Sequence, residues 1–129
     1  MKKISITTRH KTELINITKE VTEAIIQSGI TDGIATIATP HTTGAVFLFE
    51  NLDPNLWRDL LKKLHEIIPN DGSYAHVGNN ADAHLKSAIM GGSVTVIVEN
   101  GKPLLGQWQG IYFGEFDGPR ERSVYIKVL

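Results

Sequence analysis

The chain has 129 residues, of which 41% are hydrophobic, and this is typical of one domain with its own core over residues 1–129. Thirteen Lys and Arg against fourteen Asp and Glu give a formal net charge of −1, so we expect no nucleic-acid partner. The absence of cysteine excludes disulfides, thiolate nucleophiles and cysteine-ligated metal sites. No window approaches about 18 continuous apolar residues and no signal peptide is visible, so we expect a cytoplasmic protein without a membrane partner.

The first fifty residues predict four strands and one helix. Val, Ile, Phe and Thr are frequent in the four strand segments, which are residues 2–8, 13–17, 33–39 and 44–50. The first two are joined by a short polar segment and are predicted to form an N-terminal hairpin. Between this hairpin and the third strand, Thr18 is predicted to cap a helix that ends at Gly29.

Two more helices and a hairpin are predicted in the rest of the chain. Asp53 and Pro54 form an N-cap and first-turn pair that starts a helix running to Pro69. A third helix is predicted from near Asn80 to Gly91, with an inward face made of Ala81, Leu85, Ala88 and Ile89. Residues 93–99, the Asn100-Gly101 turn and a long strand over 104–116 form a predicted hairpin, and residues 123–129 form the last strand.

Together these elements predict the fold class. About seven strands and three helices in mixed order, with several hairpins, indicate a single α+β domain. The sheet is expected to be mostly antiparallel and to form a sandwich or a barrel-like structure.

Three histidines lie in or beside irregular segments, where side chains are accessible for function. His41 separates two strands, His76 precedes the third helix, and His84 lies four residues after Asn80 on the same helix face. Without cysteine, any metal ion would need His, carboxylate or amide ligands, and three imidazoles with an open position are a known catalytic zinc arrangement. The alternative is that these rings only make hydrogen bonds to backbone or ligand oxygens.

A second set of residues has the chemistry of a phosphate site. Thr42, Thr43 and Gly44 form a small polar loop, and Arg120 and Arg122 carry guanidinium groups that bind phosphate in a bidentate manner. The alternative is a simple polar turn for the threonines and a solvated strand end for the arginines.

The segment 104–116 predicts an open strand face. If this strand is uninterrupted, one face carries Gly106, Trp108, Gly110, Tyr112 and Gly114. The glycines would let a ligand or a neighbouring subunit approach the backbone, although a sharply curved strand explains them equally well. The nearby carboxylates can act as a base, a support for a metal ligand or a surface charge, and they are Glu50, Glu115 and Asp117.

Three runs of the chain closely resemble the YjbQ-like family, which is associated with a secondary thiamine-phosphate synthase activity. They are TPHTTGAVFLFEN, HVGNNADAHLKSAIMGGSVTV and LLGQWQGIYFGEFDGPRER. The resemblance implies a homotrimer with pockets near subunit contacts, and it favours metal binding over metal-free histidines. It also implies that the shared pocket contains His41, His76, Asn80 and His84. Six further residues match positions characteristic of the family, and they are Glu50, Trp108, Gln109, Glu115, Asp117 and Arg120.

The resemblance further implies an enzyme that joins a pyrimidine pyrophosphate to a thiazole phosphate. A divalent metal, expected to be zinc, would be bound by His41, His76 and His84. The expected substrate-binding residues are Thr42, Thr43, Asn80, Trp108, Gln109, Asp117 and Arg120, and the expected catalytic residues are His84, Glu50 and Glu115. Two alternatives stay open: a metal-dependent hydrolase of a small phosphorylated or acyl substrate, and a nonenzymatic ligand-binding trimer.

Overall fold

A computed structural model describes all of residues 1–129, with eight strands and three helices. The first half of the chain contains β1 (Lys2–Thr7), β2 (Glu13–Asn16), α1 (Thr18–Ser28), β3 (Asp32–Ala38) and β4 (Gly44–Glu50). The second half contains α2 (Pro54–Ile67), α3 (Ala81–Met90), β5 (Ser93–Glu99), β6 (Lys102–Pro103), β7 (Gln109–Glu115) and β8 (Glu121–Val128). The predicted α+β class and the number of helices are confirmed.

The strands form two antiparallel sheets. The larger sheet has the order β1-β8-β3-β5-β6, and the smaller sheet has the order β2-β7-β4. Every strand pair in both sheets is antiparallel, as predicted.

The smaller sheet is buried on both faces. Its strands contribute Val46 and Phe113 to a large apolar cluster shared with α1 and the larger sheet. They contribute Phe47 and Tyr112 to a second cluster shared with α2 and α3. This double burial explains why β4 and β7 are continuously apolar in sequence and do not alternate with polar residues.

The predicted N-terminal hairpin is wrong. β1 pairs with β8 in the larger sheet, whereas β2 pairs with β7 in the smaller one. The chain crosses between the sheets over residues 8–12, where Thr8 N–H donates to Arg120 O and Gly118 N–H donates to Lys11 O. The alternation of side chains is the same whichever partner a strand has, so the sequence pattern does not identify the partner.

The second predicted hairpin is confirmed in its turn and wrong in its length. Asn100 and Gly101 both have positive φ, of 54° and 75°, as a type I′ turn requires. The returning strand is only β6, and β7 begins at Gln109 in the other sheet. Gly106 and Trp108 therefore lie outside the strand, and the face at Gly114 is not open, because an added Cβ there would lie 2.8 Å from the Phe47 ring.

The predicted helix ends are mostly confirmed. Asp53 caps α2, since its Oδ1 accepts from Asn55 N–H, and Gly29 ends α1 with φ 73°. Thr18 is not the cap of α1; it lies in the first turn, where its N–H donates to Asn16 Oδ1. None of the three helices is long and apolar enough to cross a membrane.

The predicted inward face of α3 is wrong except at Ala81. Leu85 and Ile89 are 44% and 65% exposed, whereas Asp82 and Lys86 are buried. Asp82 Oδ2 accepts from Lys86 Nζ at 2.8 Å, and its other oxygen accepts from the Asn70 side chain. Burial alone raises the pKa of Asp82, but these hydrogen bonds outweigh burial and lower it.

One buried ion pair connects the two sheets. Arg122 on β8 donates from Nε to Glu115 Oε1 at 2.8 Å and from a terminal nitrogen to Glu115 Oε2 at 2.5 Å. Thr8 Oγ1 and the Asp117 N–H also donate to this carboxylate. Arg122 donates in addition to Thr43 Oγ1. Burial alone raises the pKa of Glu115, but these hydrogen bonds outweigh burial and lower it.

We expect Arg122→Met to lower the free energy of unfolding by about 3–5 kcal/mol, because it leaves the buried Glu115 carboxylate without its cation. Urea unfolding followed by circular dichroism measures this loss. The double variant Arg122→Met/Glu115→Leu is expected to regain part of it. As a control, Lys63→Ala breaks an exposed ion pair and leaves the unfolding free energy essentially unchanged. A stability of Arg122→Met equal to that of the unmodified chain would contradict the role of the pair.

Candidate functional site

His76 and His84 are adjacent in space. His76 lies in the loop before α3, His84 lies on α3, and their ring centroids are 5.4 Å apart in an edge-to-face arrangement. His76 is exposed and His84 is partly buried. The helix position of His84 and the loop position of His76 therefore bring two predicted functional rings together.

The orientation of the His76 ring is determined by a chain of hydrogen bonds. Asn80 Nδ2 donates to Asp117 Oδ2 at 3.0 Å, so the amide oxygen of Asn80 faces His76 Nε2 at 3.2 Å. An amide oxygen only accepts, so Nε2 carries a proton, and in the neutral ring Nδ1 then has a free lone pair. A ring oriented in this way is prepared to take a proton or to bind a metal ion through Nδ1.

Besides the hydrogen bond from Asn80, Asp117 forms ion pairs with two cationic side chains. Lys11 Nζ donates to Asp117 Oδ1 at 2.6 Å, and Arg120 donates to Oδ2 at 2.8 Å. Burial alone raises the pKa of Asp117, but these hydrogen bonds outweigh it and lower the pKa. Because Lys11 and Arg120 together outweigh one carboxylate and both are about half exposed, the cluster has a surplus positive charge that favours anions.

His41 is held differently. Its Nε2 accepts from the Ser123 N–H at 2.9 Å. Burial, followed by the charge of Arg122, lowers the pKa of His41. The ring is therefore neutral at pH 7, with its proton on Nδ1 and its Nε2 lone pair already used.

The histidines line two clefts that share His84. The apolar cleft has a volume of about 300 Å³ and is lined by Tyr74, Ala75, His76, Ala81, His84 and Leu85. The polar cleft has a volume of about 240 Å³ and is lined by His41, Thr42, Gly44, His84, Ser87, Ala88 and Gly92. His41 and His76 thus lie in different clefts of one chain.

The fit of a metal ion to these rings is partial. No three His, Asp or Glu side chains of one chain are placed so that they could hold a metal ion. His76 and His84 fit as two imidazole ligands, since they are adjacent and His76 Nδ1 is free. His41 does not fit in the tautomer that its hydrogen bond from Ser123 implies, because neither ring nitrogen then offers a free lone pair.

The residues predicted for phosphate binding and base catalysis differ in how accessible their side chains are. Thr42 is exposed and Arg120 is about half exposed, so both are accessible. Arg122 is buried, and Glu115 and Thr43 occupy its Nε and one of its terminal nitrogens, so it is not a solvated strand end. Glu115 accepts two hydrogen bonds at each oxygen, which is typical of a structural carboxylate; the predicted role as a base would require one of these bonds to break.

Three predicted site residues lie at the other end of the smaller sheet. β4 and β7 pair Gly44 with Glu115 at one end and Glu50 with Gln109 at the other. These ends are about 20 Å apart, because six residue steps of a strand rise about 3.4 Å each. There, Glu50 Oε2 accepts from Asp53 N–H, and Trp108 is 57% exposed. Within one chain, Glu50, Trp108 and Gln109 do not join the histidines.

Two residues near the histidines were not predicted. Lys11 reaches Asp117, although its segment was interpreted as an ordinary hairpin turn. Ser87 lines the polar cleft, although the expected polar face of α3 pointed outward. The only sequence signal for Ser87 is its position three residues after His84, which places both on neighbouring positions of one helix.

We expect His41 to titrate below its unfolded pKa of about 6.5. The folded chain then binds fewer protons than the unfolded chain, so the contribution of His41 to stability is complete above about pH 6.5 and is lost as the pH falls below that value. An NMR titration of the His41 ring and the Ser123 amide measures this, and both signals should move together. His65→Ala, which changes an exposed ring on α2, should leave the titration unchanged. A His41 pKa at or above 6.5 would contradict this.

Comparisons with known proteins agree with this fold. A model of the family described as UPF0047 protein YjbQ-like matches residues 2–129. The UPF0047 protein YugU of Bacillus subtilis is 45% identical, over 100% of this chain and 98% of that protein. A UPF0047 protein of Methanocaldococcus jannaschii is 46% identical, over 98% of this chain and 92% of that protein.

Solved structures give the same result. A crystal structure of an uncharacterized conserved protein of the yjbq/upf0047 family from Clostridium acetobutylicum is 45% identical, with a TM-score of 0.98 and complete coverage of both chains. A YbjQ-like protein of unknown function from Sulfolobus solfataricus is 33% identical, with a TM-score of 0.95, over 98% of this chain and 94% of that chain. The chain therefore belongs to the YjbQ-like UPF0047 family.

Proposed function

We propose that the protein is an enzyme that acts on a small phosphorylated substrate at the two clefts around His84. The observation that carries this proposal is the His76 ring, which Asn80 and Asp117 hold with a free Nδ1 lone pair beside His84. A purely structural surface histidine has no need of such an oriented support. The positive surplus at Lys11 and Arg120, which contact the same Asp117, supports an anionic substrate.

The reaction that we propose is the joining of a pyrimidine pyrophosphate to a thiazole phosphate, which produces thiamine phosphate. In this reaction a nucleophile displaces pyrophosphate from an activated methylene carbon. Lys11 and Arg120 would stabilise the negative charge that develops on the departing pyrophosphate. The apolar cleft, which Tyr74 and Leu85 line, would accept a heterocyclic ring.

A hydrolase is the second candidate, and the His76 geometry supports it. A neutral imidazole with a free Nδ1 and a hydrogen-bonded Nε2–H is the usual form of a general base that activates water. In this case His76 takes the role that was expected of Glu50 or Glu115, and His84 lies close enough to assist. The substrate would be a small phosphoester or acyl ester, and only one of the two thiamine precursors would be consumed.

We also propose that a zinc-type ion is bound by His76 Nδ1 and His84. Such an ion would supply Lewis-acid stabilisation of phosphate oxygens. Catalytic zinc sites have three protein ligands, so a third ligand would come from outside this pair. His41 would qualify only after releasing its hydrogen bond from Ser123.

A homotrimer is proposed from the apolar face that α3 exposes. Leu85 and Ile89 are 44% and 65% exposed, and Val77 in the preceding loop is 96% exposed. Adjacent exposed apolar side chains are typical of a surface that packs against another subunit. If Glu50 and Trp108 act on the same substrate as His76, a neighbouring subunit must supply them, because they lie about 20 Å away in one chain.

The decisive assay incubates the untagged protein with both thiamine precursors, with and without added zinc, and measures thiamine phosphate by liquid chromatography. We expect His76→Ala and His84→Ala to lower kcat/KM by about 10²–10⁴-fold, the usual contribution of an acid–base catalyst. His65→Ala and His10→Ala are the matched controls, because both rings are exposed and line neither cleft.

The products separate the candidates. Thiamine phosphate that forms only when both precursors are present supports the synthase, and phosphate release from one precursor alone supports the hydrolase. Full activity of His76→Ala would remove His76 from the mechanism. If neither precursor is consumed under any condition, the synthase proposal is wrong.

We expect the purified protein to have a mass of three times the 14.2 kDa of one chain in sedimentation equilibrium. The variant Leu85→Glu/Ile89→Glu should sediment as a monomer, because it places charges on the proposed contact surface. Ile67→Glu is the matched control, since Ile67 is also an exposed apolar residue, at 72%, but lies at the end of α2. A trimer that persists in the double variant would place the interface elsewhere.

A further inference from the structure

Ser87 has a hydroxyl group without a hydrogen-bond partner. Its side chain lines the polar cleft, the residue is 6% exposed, and its Oγ is buried with no partner in the chain. An unsatisfied buried polar group lowers the stability of the fold, so a hydroxyl in this position requires an explanation. A simple surface role is excluded by its burial.

Other hydroxyls on the helices of this chain are satisfied locally. Ser28 Oγ donates to Ile25 O at 2.6 Å, and Thr22 Oγ1 donates to Thr18 O at 2.7 Å. This back-bonding to the preceding turn is the usual solution for Ser and Thr on helices. Ser87 has the same kind of backbone around it and does not use it, so its hydroxyl is available for a partner outside the chain.

A second donor without an acceptor lines the same cleft. His41 accepts from Ser123 at Nε2, so its proton is on Nδ1, and Nδ1–H makes no hydrogen bond within the chain. Both residues line the polar cleft, and a ligand with oxygen acceptors would satisfy both donors.

The electrostatic surroundings of the polar cleft favour a negatively charged ligand. Arg122 and Arg120 act on His41 as nearby positive charges, and Glu115 is the one opposing carboxylate among them. Gly44 and Gly92 line the cleft and allow a ligand to approach the backbone closely. The volume, about 240 Å³, suits one anionic group of a substrate better than a whole drug-sized molecule.

We propose that the polar cleft is a phosphate subsite in which Ser87 Oγ–H and His41 Nδ1–H donate to phosphate oxygens. Because Ser87 Oγ is buried, this donation requires rotation of the hydroxyl about χ1 to another staggered position. The identification of the physiological ligand as a phosphomonoester rests on the proposed function. The donors of the subsite, Ser87 and His41, are different residues from the cations at Asp117, and phosphate binding there does not require turnover.

The test is a titration of the ¹⁵N-labelled full chain with inorganic phosphate. We expect saturable shifts of the backbone amides of Thr42, Gly44 and Gly92, which line the polar cleft. Ser87→Ala should weaken phosphate binding by about tenfold, as expected for the loss of a hydrogen bond to a charged oxygen. Ser73→Ala is the matched control, because Ser73 is exposed and lines neither cleft.

Unfolding of the same variants shows whether weaker phosphate binding comes from a loss of stability. Ser87→Ala removes an unsatisfied group, so without phosphate it should be at least as stable as the unmodified chain. A stable Ser87→Ala variant with unchanged phosphate affinity would overturn the proposal, and so would shifts confined to the amides around Lys11 and Arg120. If phosphate binds the polar cleft but thiamine precursors are not consumed, the synthase proposal fails and the subsite remains.

Discussion

The buried pair of Arg122 and Glu115 is the contact on which the rest of the site depends. It joins β8 of the larger sheet to β7, the central strand of the smaller sheet. Glu115 also accepts from the Asp117 N–H, which places the carboxylate that holds Asn80 and, through it, His76. Ser123, the neighbour of Arg122, holds His41. A single ion pair between the sheets is therefore connected to groups in both clefts. Because the pair is buried, loss of one partner leaves an uncompensated charge and lowers the stability of the fold.

Features that depend on local chemistry could be predicted from the sequence, whereas strand partners could not. Asp53 and the Asn100-Gly101 turn are recognised by their own residue types, and both are confirmed. The partners of β1 and β2 lie more than ninety residues away in the chain. Alternation specifies which face of a strand is buried, and it contains no information about which strand lies beside it. The predicted N-terminal hairpin failed for this reason.

Helix α3 shows a different limit of sequence analysis. The prediction assumed that apolar residues face the core of the same chain, yet Leu85 and Ile89 are exposed, and Asp82 and Lys86 are buried. The two buried charges are tolerated because they pair at 2.8 Å and Asn70 also donates to Asp82. The polar face of α3 is therefore buried in the chain and much of its apolar face is exposed. Apolar periodicity alone does not identify the buried face when the buried charges satisfy each other.

The sequence singled out three candidate histidines but could not assign their chemistry, because a tautomer depends on partners far away in the chain. Asn80 accepts from His76 Nε2–H, which leaves His76 a free lone pair; Ser123 donates to His41 Nε2, which leaves His41 a free N–H. The two rings are therefore opposite in kind, one an acceptor and one a donor, and they lie in the two clefts that share His84. A substrate that spans His84 would meet a base or metal ligand on one side, at His76, and a hydrogen-bond donor for an anion on the other, at His41. This asymmetry argues against three equivalent metal ligands and for a division of labour between reaction and recognition.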